Sequence, residues 1–416
     1  MEETNELFLE ALKASLENRM ADWQKELSAQ EIVSLFRTAD VHHILPMIYE
    51  AVYSLPAVGQ LGPQILIPFK SSVIQLVAMQ AMKTAEFCQL YDYLRKGGIT
   101  PCVVKGLVCR NLYPDPDARM SGDEDVLIPE NQFAQAHQLL LDYGMTVTNP
   151  KEDIQEAYEV SYGRAGSPIY LELHKTLFAA GSEAYGDLNR YFEGVHDRLV
   201  EEEIDGMVFL TMAPTDHLFY LICHSFKHFL HSGFGIRQVC DIILYANRYG
   251  SAIDWQYVLD CCREIRADLF AASMFRIGEK YLVFDREKAC YPKAWQEIEV
   301  DETDMLNDLL ASGVYGQADM SRKHSSNITL NAVIADKRGR KVKGGVLSSI
   351  FLPLKSMEGR FPWLKKYPFL LPAAWVQRIL IYRKETAAAG AGNNAAESIR
   401  IGNQRVELMR KYGIIK

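Results

Sequence analysis

The residues that most clearly carry chemistry form a short acidic run, Gly122-Asp123-Glu124-Asp125-Val126-Leu127-Ile128. Read as a strand, the run alternates faces. Asp123 and Asp125 then project together, and Glu124 points the other way. Two carboxylates side by side on a rigid strand repel each other unless a cation sits between them. Mg²⁺ suits such a pair, because it prefers hard oxygen ligands and keeps waters that phosphate oxygens can replace. Two such ions about 3.5–4 Å apart can hold an attacking oxygen and a triphosphate together. A lone D-x-D is more often a surface turn or a charged strand edge. Here a glycine precedes it, apolar strand residues follow it, and a second acid-bearing strand lies a short way along the chain.

That second strand is Tyr170-Leu171-Glu172-Leu173-His174. Its alternation puts Tyr170, Glu172 and His174 on one face and the two leucines on the other. As a neighbour of the first strand, it lets one metal take ligands from Asp123, Asp125 and Glu172. Glu172 is also a candidate to accept the proton of an attacking hydroxyl.

The elements that must position these acids can be read around them. Residues 1–96 carry apolar residues at three- and four-residue spacing and predict a helical region. Gly97-Gly98 ends its long last helix. From there the order is strand (ITPCVVKG), brief helix, strand (DEDVLIP), amphipathic helix (ENQFAQAHQLLLDYG) and strand (SPIYLELHKTL), with MTVTN a further strand candidate. This predicts an α+β core over 97–206. Helical periodicity returns near Met207 and defines a helical domain over 207–316. A basic extension follows over 317–416. AAAGAGNNAA within it reads as a flexible link, and KRGRKVKGG as a charged loop.

Composition sets the wider bounds. With 48% hydrophobic and 24% charged residues, the 416-residue chain reads as an ordinary globular protein of two or three units. It shows no unbroken run of about 18 apolar residues, so no transmembrane segment is expected. Its acidic, amphipathic start lacks the features of a secretory signal. Eight scattered cysteines without a C-x-x-C pair fit a reduced, cytoplasmic setting. The net charge of −8 is unevenly spread. Asp319–Lys416 holds 19 Lys and Arg against 6 Asp and Glu, whereas the remainder holds 26 against 47. Such a tail suits a phosphate-bearing partner, an acidic membrane surface or the acidic body itself.

The segment VVKGLVCRNLYPDPDARMSGDEDVLIP resembles the signature of the uncharacterised nucleotidyltransferase family, within the DNA-polymerase-β-like superfamily. The matching positions are Lys105-Gly106, Tyr113-Pro114, Arg119, and Asp123 with Asp125. A later acid-x-His is met by Glu172 and His174, and a helical region by His224, His228, Arg237 and Asp241. The resemblance implies an α+β nucleotidyltransferase core between helical regions. It implies transfer of a nucleotidyl group from a nucleoside triphosphate, with ATP expected, to an unidentified hydroxyl or phosphate acceptor. The cofactor would be Mg²⁺ or Mn²⁺, held by Asp123, Asp125 and Glu172. Lys105, Gly106, Arg119 and His174 would serve the nucleotide, and His224, His228, Arg237 and Asp241 would line the substrate cleft. One departure stands out. The better-known superfamily members carry Gly-Ser after the first strand, and this chain has Lys105-Gly106. A catalytically inactive binding module of the same fold is the alternative.

Other features have competing readings. His224, His228 and His231 lie at helical spacing, but Ser225 stands where a zinc protease of the H-E-x-x-H type needs glutamate. Cleft lining and packing between helices are the better accounts. The stretch from Phe351 to Lys384 mixes aromatics with cations. It suits nucleic acid, a membrane surface, or packing on the body.

Overall fold

The computed structural model describes residues 3–23, 25–150, 153–313, 320–340, 354, 357, 360–388 and 395–416. The loop expected at KRGRKVKGG and the link at AAAGAGNNAA fall largely outside them.

The chain divides into two units. The first holds 1–225, 236–264 and 268–302, and the second holds 226–235, 265–267 and 303–416. The first is built on a seven-stranded mixed sheet. Its strands are β1 (Cys102–Val104), β2 (Glu124–Leu127), β3 (Thr146–Val147), β4 (Glu159–Gly163), β5 (Tyr170–His174), β6 (Val200–Ile204) and β7 (Met207–Thr211), in the order β3-β4-β5-β2-β1-β7-β6. Flanking helices make the fold α+β, as the strand and helix patterns predicted.

Three pairings matter for the site. β2 runs antiparallel to β1, with Val104 opposite Asp125. β2 runs parallel to β5, with Asp125 beside Glu172 and Leu127 beside His174. β4 runs antiparallel to β5 and sets Glu159 beside His174. Strand neighbours in register share a face, so the acids of three strands converge.

β7 lies where the helical period was expected to resume, paired with β6 at the end of the expected core. Residues 200–211 form the β6–β7 hairpin, and the helix starts only at Pro214. The turn is Asp205-Gly206, with φ of 50° and 77°. An Asp-Gly pair with both φ positive is the natural two-residue hairpin turn, so the signal was in the sequence.

The helices of this unit open with α1 (Glu3–Leu16), α2 (Ala29–Val41), α3 (Leu45–Val52) and the short α4 (Pro56–Gly59). α5 (Pro63–Lys96) is the described helix long and apolar enough, by length and composition, to cross a membrane. Its first half leaves Ile67, Ile74 and Met79 exposed, whereas Phe87, Leu90 and Leu94 are buried. Gly98, at φ 82°, closes it, and the Ile99 N–H returns to the Leu94 carbonyl. The brief helix is α6 (Gly106–Arg110), and α7 (Phe133–Asp142) follows β2. α8 (Pro214–His231) and α9 (Ile236–Tyr249) then bring histidines and charged residues to the core.

In the second unit, the final helix Ala395–Lys411 buries Val406 and Met409. Its Arg405 donates to the carbonyls of Phe229 and His231, satisfying acceptors at the end of a helix that has no residues left to pair with them.

Candidate active site

β2 presents its two buried acids to opposite faces. Asp125 faces the side of the sheet that carries Glu172 and His174 of β5. Its Oδ1 lies 3.1 Å from His174 Nε2, and its Oδ2 lies 2.9 Å from Lys105 Nζ. His174 Nδ1 is 3.5 Å from Glu159 Oε2, and its Nε2 is 3.8 Å from Glu172 Oε2. Ligand atoms of Asp125, Glu172 and His174 all lie within 4.8 Å of one another. Two carboxylates and an imidazole at that spacing are a suitable donor set for a divalent cation.

The charges at this face do not balance. Burial pushes the Glu172 carboxyl up to about 7, helped by Asp125, Asp123 and Glu159. Burial alone would raise Asp125 as well, but Lys105 and His174 hold it well below the ordinary carboxylate range. Burial opposes charge on His174, and the hydrogen bond it donates to Asp125 overrides it, so its pKa rises. A buried acid pushed further toward neutrality by neighbouring acids marks a place where added positive charge is favourable.

Lys105 is held by its backbone as well as its side chain. It sits at φ 49°, ψ −110°, a conformation unfavourable for a residue with a Cβ. Its N–H donates to His217 Nε2 at 3.0 Å. His217 is fully buried and its pKa is pulled down to about 3, so it is the neutral acceptor this bond requires. His217 Nδ1 in turn lies 3.3 Å from Thr211 Oγ1, which donates to the Val103 carbonyl. Lys105 Nζ also stands 3.2 Å from His224 Nε2, and Gln238 Nε2 stands 3.2 Å from His224 Nδ1. Gly106 follows at φ 27°, and a Cβ there would sit 2.5 Å from Glu124 Oε2. Glycine is required by that close approach as much as by φ.

The other face of β2 is electrically matched. Glu124 Oε1 accepts from Arg110 Nη1 at 2.8 Å, and Lys83 Nζ is 4.0 Å away. Lys83 donates to the Ser121 carbonyl at 2.6 Å, and Gln80 Oε1 accepts from the Ser121 N–H at 2.9 Å. These bonds from α5 and α6 fix the loop that leads into Asp123.

Residues 28–282 match the model of the uncharacterised nucleotidyltransferase family. The chain belongs to that family. No curated protein matches it. A crystal structure of an antigenic nucleotidyltransferase-like protein from Paracoccidioides brasiliensis is similar at 15% identity with a TM-score of 0.29, covering 50% of this chain and 96% of that one.

Within this family member, the structure sorts the sequence candidates into groups. Asp125, Glu172, His174, Lys105 and His224 meet at one site. Asp123 precedes β2, half-buried, near enough to Glu172 to raise its pKa, but outside the tightest three-group cluster. Arg119 and Asp241 meet each other instead. Arg119 Nε and Nη2 donate to the two Asp241 oxygens at 2.8 and 2.5 Å, and the Tyr113 hydroxyl donates to Asp241 at 2.7 Å. All three are buried. Arg237 donates to the Met120 carbonyl and so holds the same loop from α9. His228 belongs to the second unit, one turn beyond His224 on α8.

Residues unforeseen in the sequence also belong here. Glu159 comes from β4, the strand that precedes β5 and pairs with it antiparallel. His217 and Tyr220 share the α8 face of His224, at the i, i+3, i+7 spacing that could have revealed them.

Proposed function

We propose that this chain is a divalent-metal-dependent nucleotidyltransferase that moves a nucleotidyl group from ATP to a hydroxyl or phosphate acceptor. The observation that carries the reading is the convergence of Asp125, Glu172 and His174 on paired strands, with Asp123 at their edge and Lys105 across from them. Asp123, Asp125 and Glu172 are the residues that would hold Mg²⁺ or Mn²⁺, and the donor set fits because it is acidic, hard and short of positive charge. Such an ion neutralises the triphosphate and supports in-line displacement when bound.

The chain's own groups supply the rest. His174 fixes the Asp125 carboxylate through its 3.1 Å contact. Lys105 carries a cation to the same spot and suits a phosphate oxygen, electrostatically replacing the serine of the better-known loops. Glu172, poised near neutrality, suits acceptance of a proton from an acceptor hydroxyl. Arg119, bonded bidentately to Asp241, acts through the loop it anchors. Eight unpaired cysteines support a reducing, cytoplasmic setting.

The test is incubation of the protein with α-labelled ATP, Mn²⁺ and cell extract. A labelled product should form, and Asp123→Asn with Asp125→Asn should abolish it. Equal labelling by the double variant removes the assignment.

The Lys105–Asp125 ion pair favours one second reading. A lysine already neutralising the central acid would suit a binding module that takes nucleotide without turnover. Calorimetry separates the two. Nucleotide binding that needs no metal and survives loss of both aspartates supports the module.

A further inference from the structure

Between Arg360 and Lys384 the chain has no acidic residue, while it carries Arg360, Lys365, Lys366, Arg378, Arg383 and Lys384. The same stretch is rich in large apolar side chains, and the structure divides them into two sets. Met357, Phe361, Leu364 and Ala374 are buried together, with Trp363, Leu371 and Ile381 packed against them. A second set is turned to solvent. Phe369 is 75% exposed, Leu380 58% and Val376 57%, and Tyr367 and Leu370 are exposed as well.

The exposed set is organised. Tyr367, Phe369 and Leu370 occupy a tight turn with Pro368–Leu370 as a 3₁₀ helix. The Tyr367 N–H bonds to the Trp363 carbonyl and the Leu370 N–H to the Tyr367 carbonyl, so the turn is preformed. Tyr367 and Phe369 lie edge to face, and Lys366 Nζ stands 5.5 Å from the Tyr367 ring centre. In the helix Leu371–Ala388, Val376 and Leu380 are one turn apart on the outer side, while Ala374 and Ile381 serve the inner cluster. A helix apolar on both sides needs a second apolar environment besides its own core.

We propose that this turn and helix face form a docking surface for an anionic lipid bilayer. An aromatic turn, an aliphatic helix stripe and flanking lysines without acids are what a charged interface recognises: apolar groups enter the acyl boundary and cations meet the headgroups. Nucleic acid would use the aromatics and lysines, but it offers nothing for Leu370, Val376 and Leu380. A second copy would bring two positive faces together. The surface is independent of the nucleotide chemistry, and it stands or falls separately from it.

The test is co-sedimentation of the full chain with phosphatidylcholine vesicles, with and without phosphatidylserine. Binding should require phosphatidylserine and weaken with salt. Phe369→Ser with Leu370→Ser, and separately Lys365→Glu with Lys366→Glu, should each lower partitioning about tenfold or more. These positions are exposed, so melting temperature should stay unchanged in both variants. Equal binding to both vesicle types, absence of vesicle binding, or wild-type partitioning by either variant overturns the proposal. Capture of single-stranded RNA without vesicle binding also overturns it and assigns the surface to nucleic acid.

Discussion

Glu124 and Asp125 are neighbours on one strand, and both are buried. On the Glu124 side, the carboxylate meets Arg110 and, further off, Lys83, and Ser121 closes the network. On the Asp125 side, Glu172, Glu159 and Asp123 crowd the same space, and Lys105 and His174 offset them only in part. A carboxylate already neutralised by buried cations of the protein holds no surplus charge for a metal ion, so the first face is structural. A face with surplus negative charge stores an affinity for cations. The difference shows how adjacent residues of the same chemistry are assigned to architecture or to function by the partners the fold brings.

The matched face is the more sensitive of the two to substitution. Glu124→Ala leaves the Arg110 guanidinium buried without its acid, which costs about 3–5 kcal/mol. Chemical denaturation should show that loss, and a wild-type midpoint would mean the pairing is not structural. Next in size is Arg119→Met. It strands Asp241 and should cost about 3 kcal/mol. Mn²⁺ affinity of the folded fraction should barely change. A selective loss of nucleotide affinity without destabilisation would restore Arg119 to the nucleotide site.

A smaller effect sharpens the other face. Glu172 has a folded pKa of about 7, above its ordinary 4.5. Its favourable contribution is therefore complete below 4.5 and is lost as pH rises through 7. In metal-free protein, Glu172→Gln should raise stability relative to wild type by about 1 kcal/mol at pH near 8, and hardly at all near 5. Melting curves at the two pH values check this, and a variant less stable at the higher pH contradicts it. A second pH effect, of opposite sign, concerns His217, whose pKa falls from 6.5 to about 3. Its contribution is present above 6.5 and is lost as pH falls toward 3. Wild type should lose stability on acidification over that range, and His217→Gln should flatten the decline.

Much of the site was legible in the sequence because strand alternation is local. It separates Glu124 from Asp123 and Asp125, and it pairs Glu172 with His174. Parallel pairing of β2 with β5 then sets Asp125 directly beside Glu172. What escaped the reading depends on distant partners. Nothing near Arg119 tells that Asp241, on α9, takes both arms of its guanidinium. Glu159 enters through β4, a five-residue strand that alternates cleanly but whose place beside His174 shows only in the pairing with β5. The β6–β7 hairpin was readable from Asp205-Gly206, and the strong helical pattern that follows masked it. The exposed set around Phe369 is of another kind, since composition shows apolar residues but only packing tells which of them are left outside.

The Asp125 face should bind a divalent cation, and the Glu124 face should not. Mn²⁺ titration followed by electron paramagnetic resonance, on wild type, Asp125→Asn and Glu124→Gln, tests it most directly. Loss of a ligand should weaken binding at least as much as loss of a ligand's supporting partner, about a hundredfold. Asp125→Asn should show that loss, and folded Glu124→Gln should bind nearly as wild type. Equal Mn²⁺ affinity in wild type and Asp125→Asn would contradict the account.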